Sequence, residues 1–163
     1  MGRGKHRGPK GPKSLSVPVP PAPAPYEVHM TASAEQVYLD LKLKSDAALA
    51  RGDAGNQHCT TFRAVDDSIR RIIPADPTHR KYALHKPLDA FYRIAKGRLR
   101  IAWTVDTDRR ALLIVFISTE LRKEGDAQDP YVILNAMAKA GHLDKIVQDW
   151  RQALYVPPDS PLN

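Results

Sequence analysis

The sequence has a single cysteine and no long apolar run. Cys59 cannot form a disulfide within the chain, and a cysteine-based zinc site needs several thiolates. No segment approaches the roughly 18 consecutive apolar residues of a transmembrane helix. The basic N-terminus also lacks the apolar stretch of a secretory signal. We therefore expect a protein of the reducing cytoplasm that has no membrane partner.

Acidic residues are absent from the first 26 residues, which hold seven of the 14 prolines and carry a charge of +5. Because proline resists helix formation, residues 1–25 are predicted to form a disordered tail that either solubilises the protein or attaches it to RNA. Residues 155–163 are also rich in proline and predict a flexible C-terminal tail. The folded domain is expected at 26–154. Residues 27–163 carry only +2 of the net +7, so charge alone does not indicate a nucleic-acid partner.

The first half of the domain predicts a strand and a helical hairpin. Residues 26–30 alternate apolar and polar side chains, as a half-buried strand does. Ser33 and Gln36 have capping-box spacing, which predicts a helix that begins there and ends near Arg51. A second helix, ended by Pro74 and Pro77, is predicted from apolar residues at helical spacing: Phe62, Val65, Ile69, Ile72 and Ile73.

The second half predicts three strands and two helices. Residues 90–95, 99–105 and 111–118 are rich in β-branched and aromatic side chains and are separated by tight turns. The third strand is apolar on both faces, so it should be central. Asp129-Pro130 predicts a helix start and Gly141 a helix end, with a last helix reaching Leu154. The order β-α-α-β-β-β-α-α predicts an α+β fold.

The C-terminal third resembles the YhaV-type branch of the RelE/ParE toxin superfamily. The spacing L-R-x-x-G-x-x-x-D-x-Y is kept by Leu121, Arg122, Gly125, Asp129 and Tyr131. Met137, Lys139, Gly141-His142 and Asp149-Trp150 extend the similarity, and residues 91–101 look like the central sheet of that superfamily. The resemblance implies a small RelE-like fold, in which a helical hairpin packs on a curved, mostly antiparallel sheet with C-terminal helices.

The same resemblance implies a function. It indicates the toxin of a type II toxin-antitoxin system, an endoribonuclease that cleaves mRNA on the ribosome and so inhibits translation and growth. It also implies a cognate antitoxin, which for YhaV-type toxins is of the AbrB-like, swapped-hairpin kind. Two alternatives stay open: a ParE-like toxin that inhibits DNA gyrase without nuclease activity, and a catalytically silent module that binds RNA or the antitoxin.

RNA cleavage needs neither a metal ion nor a cofactor, because the 2′-OH of RNA can attack the adjacent phosphate. The enzyme has to activate this hydroxyl, stabilise the added charge on the phosphate and protonate the leaving oxygen. RelE-type toxins use Arg, Lys and Tyr for this work. The histidines lack metal-ligand spacing, so we expect a metal-independent endoribonuclease with no cofactor.

Strand alternation suggests where the cationic residues gather. Arg98 and Arg100 are two residues apart and should share one face of their strand. The matching face of the preceding strand includes Arg93 if Phe91 or Tyr92 faces the core. Guanidinium groups bind phosphate bidentately and stay charged at any working pH. The catalytic candidates are Arg93 and Arg100 for the phosphate, Arg122 for transition-state charge, Tyr131 for stacking or proton transfer, and Lys86. The further RNA-binding candidates are His85, Lys96, Arg98 and Lys123. Each cation could instead be an ordinary solvated residue, and Tyr131 a core aromatic.

Overall fold

The computed structural model describes residues 25–120 and 130–155. The elements are β1 (Glu27–Met30), α1 (Ala32–Ala50), α2 (Gln57–Asp67), α3 (Ile73–Ala75), β2 (Phe91–Lys96), β3 (Leu99–Asp106), β4 (Ala111–Ser118), α4 (Pro130–Lys139) and α5 (His142–Leu154). Their order is the predicted one, with α3 as a short extension of α2. The two predicted tails fall almost entirely outside the described residues. Within those residues, no helix has the length and apolar character needed to cross a bilayer.

The described strands form one four-stranded sheet in the order β1-β4-β3-β2. β2 and β4 pair antiparallel with β3, while β1 pairs parallel with β4. β4 therefore lies between two strands, and most of its residues are buried because both of its faces are apolar. The predictions of a central β4 and a mostly antiparallel sheet are confirmed. β2 is one edge of the sheet.

The start of α1 differs from its prediction. Thr31, not Ser33, is the N-cap, and its hydroxyl accepts a hydrogen bond from the backbone N–H of Ala34 at 3.3 Å. The backbone N–H of Thr31 also donates to the carbonyl of Ile114 at 3.0 Å. Because this bond continues the pairing of β1 with β4, the chain leaves the sheet at Thr31 and the helix begins before Ser33. Gln36 donates to Asp40 instead of closing a capping box.

The second helix ends where it was predicted to end, but it is not a regular α-helix throughout. Asn56 caps α2, accepting from the backbone N–H of His58 at 2.8 Å. After Asp67 the helix widens into one π-helical turn at Ser68–Ile72 and continues into α3. Pro74 lies in the first turn of α3. The helix ends at Ala75, between the two prolines that were predicted to end it.

The sheet separates two hydrophobic cores. On one face, the α1–α2 hairpin and α3 pack on the sheet, and the buried residues of this hairpin core include Val65, Ile69, Ile73, Ile101, Trp103 and Ile114. On the other face, α4 and α5 pack on the sheet, and this C-terminal core includes Leu88, Leu113, Val115, Leu134, Leu143 and Trp150. A bulge in β4 places both Val115 and Phe116 on the C-terminal face. The sheet thus has a helix pair on each side.

Candidate active site

The clearest meeting of candidate residues is between the edge strand and the first turn of α4. The guanidinium carbon of Arg93 lies 4.5 Å from the centroid of the Tyr131 ring. Arg93 is on the C-terminal face because its neighbours Tyr92 and Ile94 pack into the hairpin core. Arg93 is exposed and Tyr131 is half-buried. A cation over an aromatic face contributes about 0.5–1 kcal/mol at an exposed site.

Arg100 lies on the same face as Arg93. Arg93 pairs with Ala102, and Arg100 pairs with Ala95, so the two arginines are diagonal neighbours on adjacent antiparallel strands. Such neighbours are roughly 7–8 Å apart. Nη1 of Arg100 donates to the carbonyls of Gly97 at 2.6 Å and Leu99 at 2.9 Å. No described residue bonds to its Nε or Nη2.

Arg98 lies elsewhere, and the prediction that it shares a face with Arg100 is wrong. It is in the tight turn between β2 and β3, and it lines a cleft on the hairpin face with Lys44 and His58. The pairing of β3 begins only at Leu99, opposite Lys96. A residue in the turn does not follow the pleat, so alternation did not fix the direction of Arg98.

The remaining candidates are scattered. Lys96 lines a groove beside the sheet edge with Lys81 and Tyr82, and Arg93 is also among the residues that line it. His85 and Lys86 are exposed in the loop before β2, and neither side chain forms a hydrogen bond or ion pair within residues 25–120 and 130–155. The backbone of this loop is held by Leu88, which is buried in the C-terminal core. Arg122 and Lys123 lie outside the described residues.

Sequence reasoning missed a buried carboxylate that anchors this side of the fold. Asp106 ends β3, and Arg109 donates to it from its backbone N–H at 3.0 Å and from Nη1 at 2.7 Å. Arg151 of α5 approaches the same carboxylate at 4.0 Å. Burial by itself would raise the pKa of Asp106, but these hydrogen bonds and charges lower it overall. The pattern Asp-Thr-Asp-Arg was visible as a turn, but the contact with α5 was not.

Sequence reasoning also missed the cleft around Arg98. Its other lining residues come from α1, α2 and the chain after β4. These segments are separated by tens of residues, so no local spacing could reveal the cleft. In the described part of the chain, no cluster of three or more His, Cys, Asp or Glu side chains could hold a metal ion.

Comparison with known families gives one match that covers most of the chain. Residues 31–154 match the YhaV toxin family, which is described as a toxin with endonuclease activity, of a toxin-antitoxin system. That range includes Arg93, Arg100 and Tyr131. None of the curated proteins compared with the chain is significantly similar to it.

The solved structures similar to this chain include a toxin-antitoxin complex and an isolated toxin. The toxin-antitoxin complex RelBE2 of Mycobacterium tuberculosis is matched at 16% identity and a TM-score of 0.43, over 60% of this chain and 92% of that chain. The isolated RelE toxin of E. coli is matched at 12% identity and a TM-score of 0.44, over 66% of this chain and 98% of that chain.

Proposed function

This chain belongs to the YhaV family of toxins with endonuclease activity, and we propose that it cleaves messenger RNA with Arg93, Arg100 and Tyr131. The observation that carries the proposal is the contact of Arg93 with Tyr131 on the sheet face that also carries Arg100. Two guanidinium groups can stabilise the charge on a phosphate, and a phenol can transfer a proton, which are functions that metal-independent cleavage of RNA needs. The gyrase alternative is not favoured, because the family is defined by endonuclease activity.

In the proposed reaction, the 2′-oxygen of one nucleotide attacks the adjacent phosphorus and the bond from phosphorus to the 5′-oxygen breaks. The products are a 2′,3′-cyclic phosphate and a 5′-hydroxyl, and the proton lost from the 2′-OH is balanced by the proton gained by the leaving oxygen. Arg93 and Arg100 hold the phosphate oxygens and stabilise the charge that grows on them. Charge stabilisation of this kind contributes about 3–4 kcal/mol for each well-placed donor.

Two roles are open to Tyr131: positioning Arg93 with its ring, or transferring a proton with its hydroxyl. Its ring supports the guanidinium of Arg93 at 4.5 Å, while its Oη is buried. We assign the ring the role of positioning Arg93, and proton transfer by the hydroxyl is the alternative. Arg122 stays a candidate for transition-state charge and Lys86 a catalytic candidate, with Lys96, Lys123 and His85 as RNA-binding candidates.

The antitoxin follows from the family, whose members are toxins of toxin-antitoxin systems. The finer partners are proposals. We expect an AbrB-like, swapped-hairpin antitoxin, cleavage of messenger RNA on the ribosome and a cytoplasmic location. The domain after the basic tail is nearly neutral, which fits a toxin that gains part of its RNA affinity from the ribosome.

A reconstituted translation reaction tests the proposal. Purified protein should generate new 5′ ends in the messenger, which primer extension detects. The Arg93→Ala variant should produce far fewer ends than the Arg63→Ala variant, which removes an exposed arginine from α2. Intact messenger with the wild-type protein, or equal cleavage by both variants, would contradict the assignment.

A further inference from the structure

A polar cleft of about 570 Å³ lies on the hairpin side of the sheet, at the end formed by the β2–β3 turn and the last residues of β4. It is lined by Leu41, Lys44, Gln57, His58, Thr61, Arg98, Thr119 and Glu120. Apart from Leu41, every lining residue carries a polar side chain. The composition fits a charged or strongly polar ligand better than an apolar one.

Lys44 and Arg98 give this cleft two cations from the described residues, against the carboxylate of Glu120. Both cations are exposed, and within residues 25–120 and 130–155 neither has an ion pair or a side-chain hydrogen bond. Lys42, two residues earlier on α1, is instead paired with Asp46 at 2.8 Å. With two cations against one carboxylate, the described lining carries excess positive charge, and positive charge in a concave site attracts anions.

Neutral donors complete the site. Gln57, Thr61 and Thr119 can donate from their side chains, and His58 can donate from its ring. Gln57 and His58 also occupy the first turn of α2, and the N-terminus of a helix carries partial positive charge and favours anions. Two cations and several hydrogen-bond donors are the chemistry that recognises a phosphate group.

The cleft and the candidate active site meet at one end of the sheet. Arg98 and Arg100 stand on either side of Leu99, with Arg98 in the cleft and Arg100 on the C-terminal face. Ser118 pairs with Arg100, and the next residue, Thr119, lines the cleft. A strand of RNA that leaves the catalytic face around this end would place its next phosphates beside Lys44 and Arg98.

We propose that this cleft binds a backbone phosphodiester of the RNA strand whose scissile phosphate is held by Arg93 and Arg100. The inference rests on the proposed function and adds a second phosphate subsite to it. Because contacts with phosphate carry no sequence information, the cleft increases affinity and fixes the path of the strand without selecting bases.

The test measures binding of a ten-nucleotide RNA that is 2′-O-methylated throughout, so that it cannot be cleaved. The Lys44→Gln and Arg98→Gln variants should each bind it about tenfold more weakly than wild type. Each phosphate interaction that a variant removes should make the slope of log K against log salt shallower by about 0.7. Lys42→Gln is the matched control, because it removes the same charge from the same helix outside the cleft.

Two further probes identify the ligand. Affinity for a 2′-O-methylated dinucleotide should be the same in wild type and Arg98→Gln, because a dinucleotide is long enough to contact only the catalytic face. Inorganic phosphate should compete weakly. If the cleft variants bind the long RNA like Lys42→Gln, or the wild type does not bind it, the subsite is wrong. If phosphate alone competes as well as the long RNA, the cleft is a small-anion site instead.

Cleavage assays separate this inference from the proposed function. With cleavable RNA, Arg98→Gln should raise KM and leave kcat unchanged, because the scissile phosphate is bound elsewhere. If the wild type does not cleave RNA but the cleft variants lose binding as expected, the proposed nuclease activity is refuted while the phosphate subsite stands. If the wild type cleaves RNA and the cleft variants have a normal KM, the phosphate subsite is refuted while the proposed nuclease activity stands.

Discussion

Arg93 in the edge strand β2 places its guanidinium over the ring of Tyr131 in α4, with 4.5 Å between the guanidinium carbon and the ring centroid. The contact joins the sheet edge to the first turn of a helix that packs across the same face. The position of Arg93, which we propose binds the phosphate, therefore depends on how α4 docks on the sheet. Changes to either partner, or to the packing beneath α4, should be visible in the rate of RNA cleavage.

Arg93→Ala should lower kcat for RNA cleavage by about 100-fold or more, because a donor to the developing phosphate charge is removed. Arg93→Lys should recover only part of this activity, since an ammonium group cannot bind two phosphate oxygens in the fork geometry of a guanidinium. Single-turnover cleavage of a model RNA gives the rates. Full activity of the lysine variant would show that only the charge matters at this position.

Tyr131→Phe should keep cleavage within about threefold of wild type, because the ring that supports Arg93 remains. Tyr131→Ala should lower the rate by about tenfold or more, since the guanidinium then has no aromatic platform. Cleavage rates measured across the pH range check both variants. A loss of about 100-fold or more in the phenylalanine variant, with a changed pH profile, would instead assign proton transfer to the hydroxyl.

Asp106→Asn should reduce the free energy of unfolding by about 1–3 kcal/mol at neutral pH, because the partly buried hydrogen bonds from Arg109 lose their charged acceptor. The folded state lowers the pKa of Asp106. Its stabilising effect is therefore present above the ordinary aspartate pKa and disappears as the pH falls through the lowered value. Urea unfolding of both proteins between neutral and acid pH measures this. A difference in stability that does not shrink toward acid would contradict the prediction.

Leu134→Ala should lower the free energy of unfolding by about 2–5 kcal/mol, since this residue of α4 is 1% exposed in the C-terminal core. It should also slow cleavage at temperatures where the protein stays folded, because α4 carries Tyr131. Ile73→Ala is the matched variant, with a similar truncation in the hairpin core. Denaturant unfolding and cleavage rates are compared for both. Equal cleavage rates in the two variants would show that the active site does not depend on how α4 docks.

Several parts of the fold were predictable because local patterns are strong there. The boundaries of β4 follow from an apolar segment between turn residues, and its central place follows from having two apolar faces. The start of α1 was misplaced because the last hydrogen bond of a parallel strand pair fixes where the chain turns, and parallel pairing is a long-range property. The π-helical turn at Ser68–Ile72 was not predicted either, because the apolar spacing in this segment also fits a regular α-helix.

The positions of the candidate site residues were also predictable only in part. Alternation placed Arg93 and Arg100 on one face, and the antiparallel register confirms that placement. It failed for Arg98, because the pleat does not extend into a tight turn. The roles of Arg93, Arg100, Tyr131 and Lys86 in catalysis stay predictions, as do the RNA contacts of Lys96 and His85.

The sequence by itself determined the element order, the buried central strand and the membership of a toxin family, because these depend on local periodicity and on motif spacing. Only the tertiary structure decided that Tyr131 lies against Arg93 and that Arg98 joins Lys44 in a cleft on the opposite face. Those contacts join segments far apart in the chain, and they arise from how the helices dock on the two faces of the sheet. Packing of this kind is set by the whole buried surface and has no signature in a short stretch of residues.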